Sequence, residues 1–341
     1  MKKALFLLAL IFIFFSCTNN DTSVSKQYNP TPFQFSQQIP ERDFPLYIPA
    51  DNPLTVEGVE LGKDLFANKI LSVDNELSCT SCHNPDKAFA SNNRFDKGYK
   101  GKLMTKNTMS LTNLIFNKYF GWEGSHSSLE EAILSTIENK DEFHENWDNV
   151  IVKLLDAGYA DKFSKAFGTD DITPNLVAKA IAQYLRSNVS VNSKFDRAYY
   201  FEDSSARFTP LETKGYELFL SEKGDCFHCH RVGPFFDNRF HNNGLDAHPE
   251  KGLAHVTNEA SDIGKFKTGS LRNIAITAPY MHDGRFKTLK EVLDFYSDHV
   301  NYSSTLDPNM NHEGGIYLEE DEKEAIIAFL NTLTDEKYLK K

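Results

Sequence analysis

Four of the five cysteines fall in two copies of one motif, Cys79-Thr-Ser-Cys82-His83 and Cys226-Phe-His-Cys229-His230. No other feature restricts the fold as strongly. Each copy reads C-x-x-C-H, the pattern of covalent haem attachment. Two thiols one helical turn apart can add to the two vinyl groups of one haem, and the adjacent imidazole then reaches the iron from the same side. A zinc ribbon needs its cysteine pairs about 15–20 residues apart, far closer than here. A thioredoxin-like redox motif belongs in a βαβ pattern, which is not evident. Chance disulfides would not set a histidine after both second cysteines. The sequence therefore predicts two bound haem c groups, attached at Cys79, Cys82, Cys226 and Cys229, with His83 and His230 as iron ligands.

Bacterial c-haem attachment takes place outside the cytoplasm, and the N-terminus fits export. Lys2 and Lys3 precede a run of twelve apolar residues from Ala4 to Phe15. That length suits a signal-peptide core and falls short of the roughly 20 residues that span a bilayer. The run ends in Phe14-Phe15-Ser16-Cys17, which resembles a bacterial lipobox, although the two phenylalanines depart from the usual leucine and small residue. The expectation is a signal peptide over 1–17, lipidation at Cys17, a polar Pro-containing tether over 18–45, and a periplasmic lipoprotein held to a membrane only by its lipid. Plain secretion, with Cys17 in the discarded peptide, is the alternative.

At about 150 residues per domain, 341 residues suggest two domains, and one haem motif per half suggests a duplication. The expected division is 46–203 and 204–341, with the boundary in the polar stretch Phe201-Glu-Asp-Ser-Ser-Ala206. Helix signals dominate. Thr173-Pro174 opens a helix carrying Leu176, Ala180, Ile181, Tyr184 and Leu185 on one face. Ser128-Leu-Glu-Glu131, Thr209-Pro-Leu-Glu212 and Thr288-Leu-Lys-Glu291 each read as a capping box before an apolar run. A last helix follows the acids Glu319 to Glu322, with Ile326, Ile327 and Leu330. Sustained strand alternation is absent. The expected fold is mostly α, two cytochrome-c-like haem domains with long loops. The net charge of −11 argues against nucleic acid and anionic lipid as partners and favours a basic protein.

With the motifs placed, the chain resembles the bacterial di-haem cytochrome c peroxidase family, which includes the MauG branch. The resemblance runs from about residue 45 to 335. Its strongest stretch is Phe266-Lys-Thr-Gly-Ser-Leu-Arg-Asn-Ile-Ala-Ile-Thr-Ala-Pro-Tyr-Met-His-Asp-Gly-Arg285, then Thr288-Leu and Asp294-Phe-Tyr296. The first half matches more loosely, through Cys82-His83-Asn84-Pro85, Lys106-Asn107-Thr108 and Trp122-Glu-Gly124. The resemblance implies a peroxide-reactive N-terminal haem and an electron-transfer C-terminal haem.

A peroxide-reactive iron needs a vacant or displaceable sixth position. Many family members block it with a histidine shortly after the first motif. Here no histidine occurs between His83 and His126, and the loop reads Asp96-Lys-Gly-Tyr-Lys-Gly101. The expectation is a five-coordinate or water-bound haem needing no reductive activation, with Met104, Met109, Lys100 or a distant histidine as alternative closures. Peroxide cleavage also needs a group that moves a proton between the two oxygens. The resemblance puts Glu142 in that role, within a cluster (Glu138, Asp141, Glu142, Glu145) that would otherwise read as a solvated face. Ala132, Thr136 and Phe143 depart from the family's Gln, Pro and Met.

At the second haem, the position of the family's methionine ligand reads Tyr296. Leu289, Val292 and Leu293 share its helix face, so its ring points inward. The resemblance to MauG-like members implies tyrosine ligation, with Met281 and His282 as rivals and a core tyrosine as the plain alternative. A thioether favours ferrous iron; a phenolate favours ferric and higher states. The resemblance also implies that Trp122 relays electrons between the haems, and that a calcium ion sits between the domains on Asn107, Thr277 and Pro279. The leading expectation is H2O2 reduction with electrons from a soluble cytochrome c. A MauG-like peroxide-dependent oxidation of a protein or organic substrate, and a non-enzymatic di-haem electron carrier, are the alternatives. Family members are often homodimers.

Overall fold

The computed structural model describes residues 28–40, 42–310 and 314–339. The apolar leader, Cys17 and residues 18–27 of the expected tether lie outside them. Among the described residues, no helix is long and apolar enough to cross a membrane.

The helices are α1 (Val56–Ala67), α2 (Leu129–Glu138), α3 (Trp147–Asp156), α4 (Ala160–Phe167), α5 (Pro174–Ser187), α6 (Lys194–Tyr199), α7 (Pro210–Phe219), α8 (Ala254–Thr257), α9 (Leu289–Asp298) and α10 (Glu320–Asn331). The only sheet among the described residues is an antiparallel pair, β1 (Phe240–His241) with β2 (Phe266–Lys267). The mostly α expectation agrees with this. Start signals do what their chemistry predicts: Thr173, Thr209 and Thr288 accept bonds from N–H groups of their helices' first turns, and Pro174 and Pro210 follow their caps. Ser128 also caps α2, but the Glu131 carboxylate reaches one residue further back, to Ser127 N and Oγ, so this is not a closed capping box.

The two halves are built alike. In the first, α1 crosses α5 at Gly62, where an added Cβ would lie 1.9 Å from Ala180 O and 2.9 Å from Tyr184 Cβ. In the second, α7 crosses α10 at Gly215, and a Cβ there would meet Ala325 O at 1.9 Å and Phe329 Cβ at 2.9 Å. Only glycine allows either crossing. Asn113 and Asn273 both take the left-handed conformation ahead of a short 3-10 turn. The bridges Phe120–His126 and Tyr280–Phe286 then lead into α2 and α9 at the same interval. Each repeat donates to the other: Asn107 N bonds His282 O at 2.7 Å, and Lys267 N bonds Trp122 O at 2.8 Å.

The packing differs from two expectations. Residues 28–45 read as tether because of their prolines and polar side chains, yet the described part is packed as a strap. Phe44 is 1% exposed and joins Ile115, Phe116, Val189, Val191 and Phe236 in a cluster where the halves meet, with Phe35 and Ile39 against it. The change of core also comes before 203. Phe195 of α6 is fully buried in the second half's cluster with Phe219, Phe235 and Phe329, and its N–H bonds Thr332 O at 3.0 Å. The polar stretch 201–206 lies mostly at the surface, with Ala206 buried, and follows α6, which has already joined the second core.

Candidate active site

The first motif opens as a 3-10 turn, Cys79–Ser81, followed by the proximal imidazole. His83 Nδ1 lies 3.0 Å from Phe89 O, which leaves Nε2 for a metal. His230 Nδ1 likewise lies 3.0 Å from Phe235 O. Burial lowers the pKa of both imidazoles, so both stay neutral, as iron ligation requires. Phe89 and Phe235 both take positive φ (59° and 56°), the same backbone turn in each half. Cys79 and Cys226 pack against the two main apolar clusters. Paired thiols, an imidazole fixed through Nδ1 and apolar walls suit a covalently held haem at each motif.

Glu142 faces the first motif. Burial pushes the thiols of Cys79 and Cys82 up to about 12, and the Glu142 carboxylate adds to both shifts. Its own carboxyl is pushed up to about 7, first by burial and further by Asp141, against the bond that Asn139 Nδ2 donates to Oε1 at 2.7 Å. Of the rest of the acidic cluster, Asp141 acts on Glu142, Glu145 pairs with Lys153 at 2.6 Å, and Glu138 is exposed.

The loop after the first motif closes on the Glu142 backbone. Tyr99 N donates to Glu142 O at 2.9 Å. Gly98 leaves no room for a side chain, since a Cβ would lie 1.9 Å from Asp141 O. The Tyr99 ring stacks on His144 at 4.5 Å. Of the alternative closures, Lys100 is exposed with Nζ over the Tyr99 ring, and the Met109 backbone carbonyl interacts with His83.

Tyr296 faces the second motif. Burial pushes its phenol up to about 12; Asn243 Nδ2, donating to Oη at 3.0 Å, opposes this, and Cys229 and Cys226 add to it. The rivals stand differently. Met281 Sδ receives a long contact from the same Asn243 Nδ2 at 3.6 Å. His282 is stacked on Phe266 at 3.7 Å, with its buried Nε2 lacking a hydrogen-bond partner and 3.7 Å from Glu250 Oε1.

Trp122 lies between the halves, its Nε1 donating to Asn107 O at 2.8 Å. Asn107 Nδ2 donates to Asn93 O and Arg94 O at 3.1 and 3.2 Å, which turns Oδ1 the other way. The bond from Asn107 N to His282 O brings this asparagine to the segment holding Thr277 and Pro279.

Sequence reasoning missed Asn139, Gly98 and Asn243, whose partners are fixed only by the fold. It also left His241 without a role. That imidazole lies 2.8 Å from Asp237 Oδ2 and 2.6 Å from Asp307 Oδ2. Burial alone would lower its pKa, but hydrogen bonds to the two aspartates and to Cys229 raise it to about 11.

Comparison with known proteins places these features in context. The family model described as di-haem cytochrome c peroxidase matches residues 56–204. Cytochrome-c peroxidase IdrP1 of Pseudomonas sp. (strain SCT) is 33% identical, over 85% of this chain and 84% of that protein. The methylamine utilization protein MauG of Methylorubrum extorquens is 34% identical, over 84% and 81%. A solved MauG-like protein associated with microbial copper homeostasis aligns at TM-score 0.81 and 30% identity, covering 90% of this chain and 97% of that one.

Proposed function

Since the chain belongs to the di-haem cytochrome c peroxidase family and is an oxidoreductase acting on peroxide, we propose that it reduces H2O2 to water at the first haem motif with electrons from a soluble cytochrome c. The family implies two c-type haems; when bound, they supply the redox chemistry at peroxide and the storage of electrons. The remaining work is assigned to side chains. Cys79 and Cys82 would hold one haem and Cys226 and Cys229 the other, with His83 and His230 as iron ligands.

The observation that carries the reading is Glu142: a half-buried carboxyl close enough to Cys79 and Cys82 for its charge to act on both, raised to about 7, with one oxygen held by Asn139. A group titrating near neutrality can take a proton from one peroxide oxygen and return it to the other. Trp122 would carry electrons between the two sites, its indole oriented by the Asn107 carbonyl. The domains would divide just before Ser193, where the packing changes core. Asn107 Oδ1, with the carbonyls of Thr277 and Pro279, would bind Ca²⁺, whose preference is for oxygen ligands. Cys17 would anchor the exported protein to a membrane by its lipid, on the periplasmic side. The acidic chain suits a basic cytochrome donor.

A second reading, peroxide-dependent oxidation of a protein or organic substrate in the manner of MauG, is favoured by Tyr296. Its phenol oxygen faces the second motif and already accepts a bond from Asn243, which a phenolate ligand would keep. Steady-state assays with reduced cytochrome c and H2O2 separate the two readings: rapid turnover supports the first, and its absence with peroxide still consumed supports the second. EPR of the oxidised protein tests both, because two low-spin signals with no high-spin component would leave only an electron carrier.

A further inference from the structure

Lys267 is 4% exposed, and no carboxylate ion pair to its Nζ occurs among the described residues. The acid that influences it most is Asp237, and both Asp237 oxygens are taken. Oδ2 lies 2.8 Å from His241; Oδ1 accepts from Arg239 N and Thr268 Oγ1, each at 2.9 Å. The ammonium stands over the Phe236 ring, 5.1 Å from its centre, a contact too weak to replace lost hydration. A buried ammonium is strongly disfavoured without a counter-ion. Burial accordingly pushes this amine down to about 8, against the pull of Asp237.

Location narrows the missing partner. Lys267 lies on β2, its N–H bound to Trp122 O between the two motifs. Its ammonium stands over the ring of Phe236, next to Phe235, whose carbonyl lies 3.0 Å from His230 Nδ1, so it belongs to the second motif's neighbourhood. Lys267 also stands where the first repeat has Asn107, the residue assigned above to a cation. Each repeat thus places a cation or a cation ligand at the junction of the halves. Among the described residues no carboxylate pairs with this ammonium, but a haem carries two.

We infer that the Lys267 ammonium pairs with a propionate of the haem attached at Cys226 and Cys229. The inference rests on the two-haem reading, which a haem stain and a count of two haems per wild-type chain test separately. Lys267→Met and Lys267→Arg are purified as di-haem proteins, and both haem midpoint potentials are measured by optical redox titration. Loss of a positive charge beside a propionate favours ferric iron. Lys267→Met should lower the second haem's potential by about 59 mV, a tenfold change in its ferric-to-ferrous ratio. The first haem should not move, and Lys267→Arg should keep most of the wild-type value. Unchanged potentials in Lys267→Met, a shift confined to the first haem, or equal shifts in both variants would overturn the pairing. If Lys267→Met does not accumulate with both haems, resonance Raman of Lys267→Arg decides. The propionate-bending band of the second haem should move, and an unmoved band overturns the inference.

Discussion

Glu142→Gln should make the protein slower and more stable at once, a combination that packing alone does not produce. In the folded chain, burial beside the first haem motif raises this carboxyl from 4.5 to about 7. The folded value lies above the unfolded one, so the native state prefers the protonated acid. That preference is fully present below pH 4.5 and is lost as pH rises through 7. Forcing the group to ionise costs the native state about 3 kcal/mol at pH 8 and about 1 kcal/mol or less at pH 5. Glutamine keeps the acceptor for Asn139 Nδ2 and never ionises. Denaturant titrations should therefore show the variant about 3 kcal/mol more stable at pH 8, with the gap nearly closed at pH 5. Activity should go the other way. Proton removal from peroxide needs the carboxylate, so wild-type kcat/KM for H2O2 should climb as pH passes 7, and the variant should lose about 10²–10⁴-fold and show no such limb. A variant that keeps the pH 7 limb, or the wild-type rate, refutes the proton-transfer role even if the stability gap appears as expected.

Three further substitutions probe the rest of the site. Tyr296→Phe removes the oxygen that Asn243 holds at 3.0 Å and should change the EPR and optical signals of the second haem only; identical spectra would refute ligation. Trp122→Phe removes both the indole and its bond to Asn107 O, and should slow electron transfer between the haems at least about tenfold in stopped-flow traces, with peroxide binding unaltered. Gly98→Ala would put a methyl 1.9 Å from Asp141 O, so the Glu142 backbone must shift. We expect about 1–3 kcal/mol lower stability in thermal unfolding and a reduced peroxide rate with two haems still attached; a normal rate would show that the loop does not position Glu142.

How much of this was readable in the chain follows from the range of the interactions. The haem motifs were legible because covalent attachment needs two thiols and an imidazole within five consecutive residues. Helix starts were legible because Thr173, Thr209 and Thr288 satisfy N–H groups a few positions away. The strap was not, because Phe35, Ile39 and Phe44 anchor it at irregular spacing among prolines, with no period to mark burial. Asn243 meets Tyr296, and Gly98 meets Asp141, only after the chain has folded back over long separations. Lys267 read simply as part of a family-like run. Its burial without an acidic partner among the described residues is a property of the packed junction and has no local signature.

The repeated scaffold explains how one chain can hold two sites of different chemistry. The same turn, bridge and helix recur from Asn113 and from Asn273, so α2 and α9 present equivalent positions to their respective motifs. At the position where α9 carries Tyr296, α2 carries Thr136, whose hydroxyl is a full aromatic ring shorter. On the proposed function, a long side chain at this position would cover a haem face, and a threonine would leave room that Glu142, just beyond the end of α2, would use. The junction differs by the same logic, with Trp122 opposite the repeat position of His282, and Asn107 opposite that of Lys267. Both halves have a glycine crossing, at Gly62 and Gly215, where any side chain would collide with backbone. On the proposed function, the repeats would differ at positions facing the haems, where residue size would decide whether an iron is sealed or open. On this argument, exchanging Thr136 for a long ligating side chain should close the first site without disturbing its helix, whereas either crossing glycine tolerates no exchange at all.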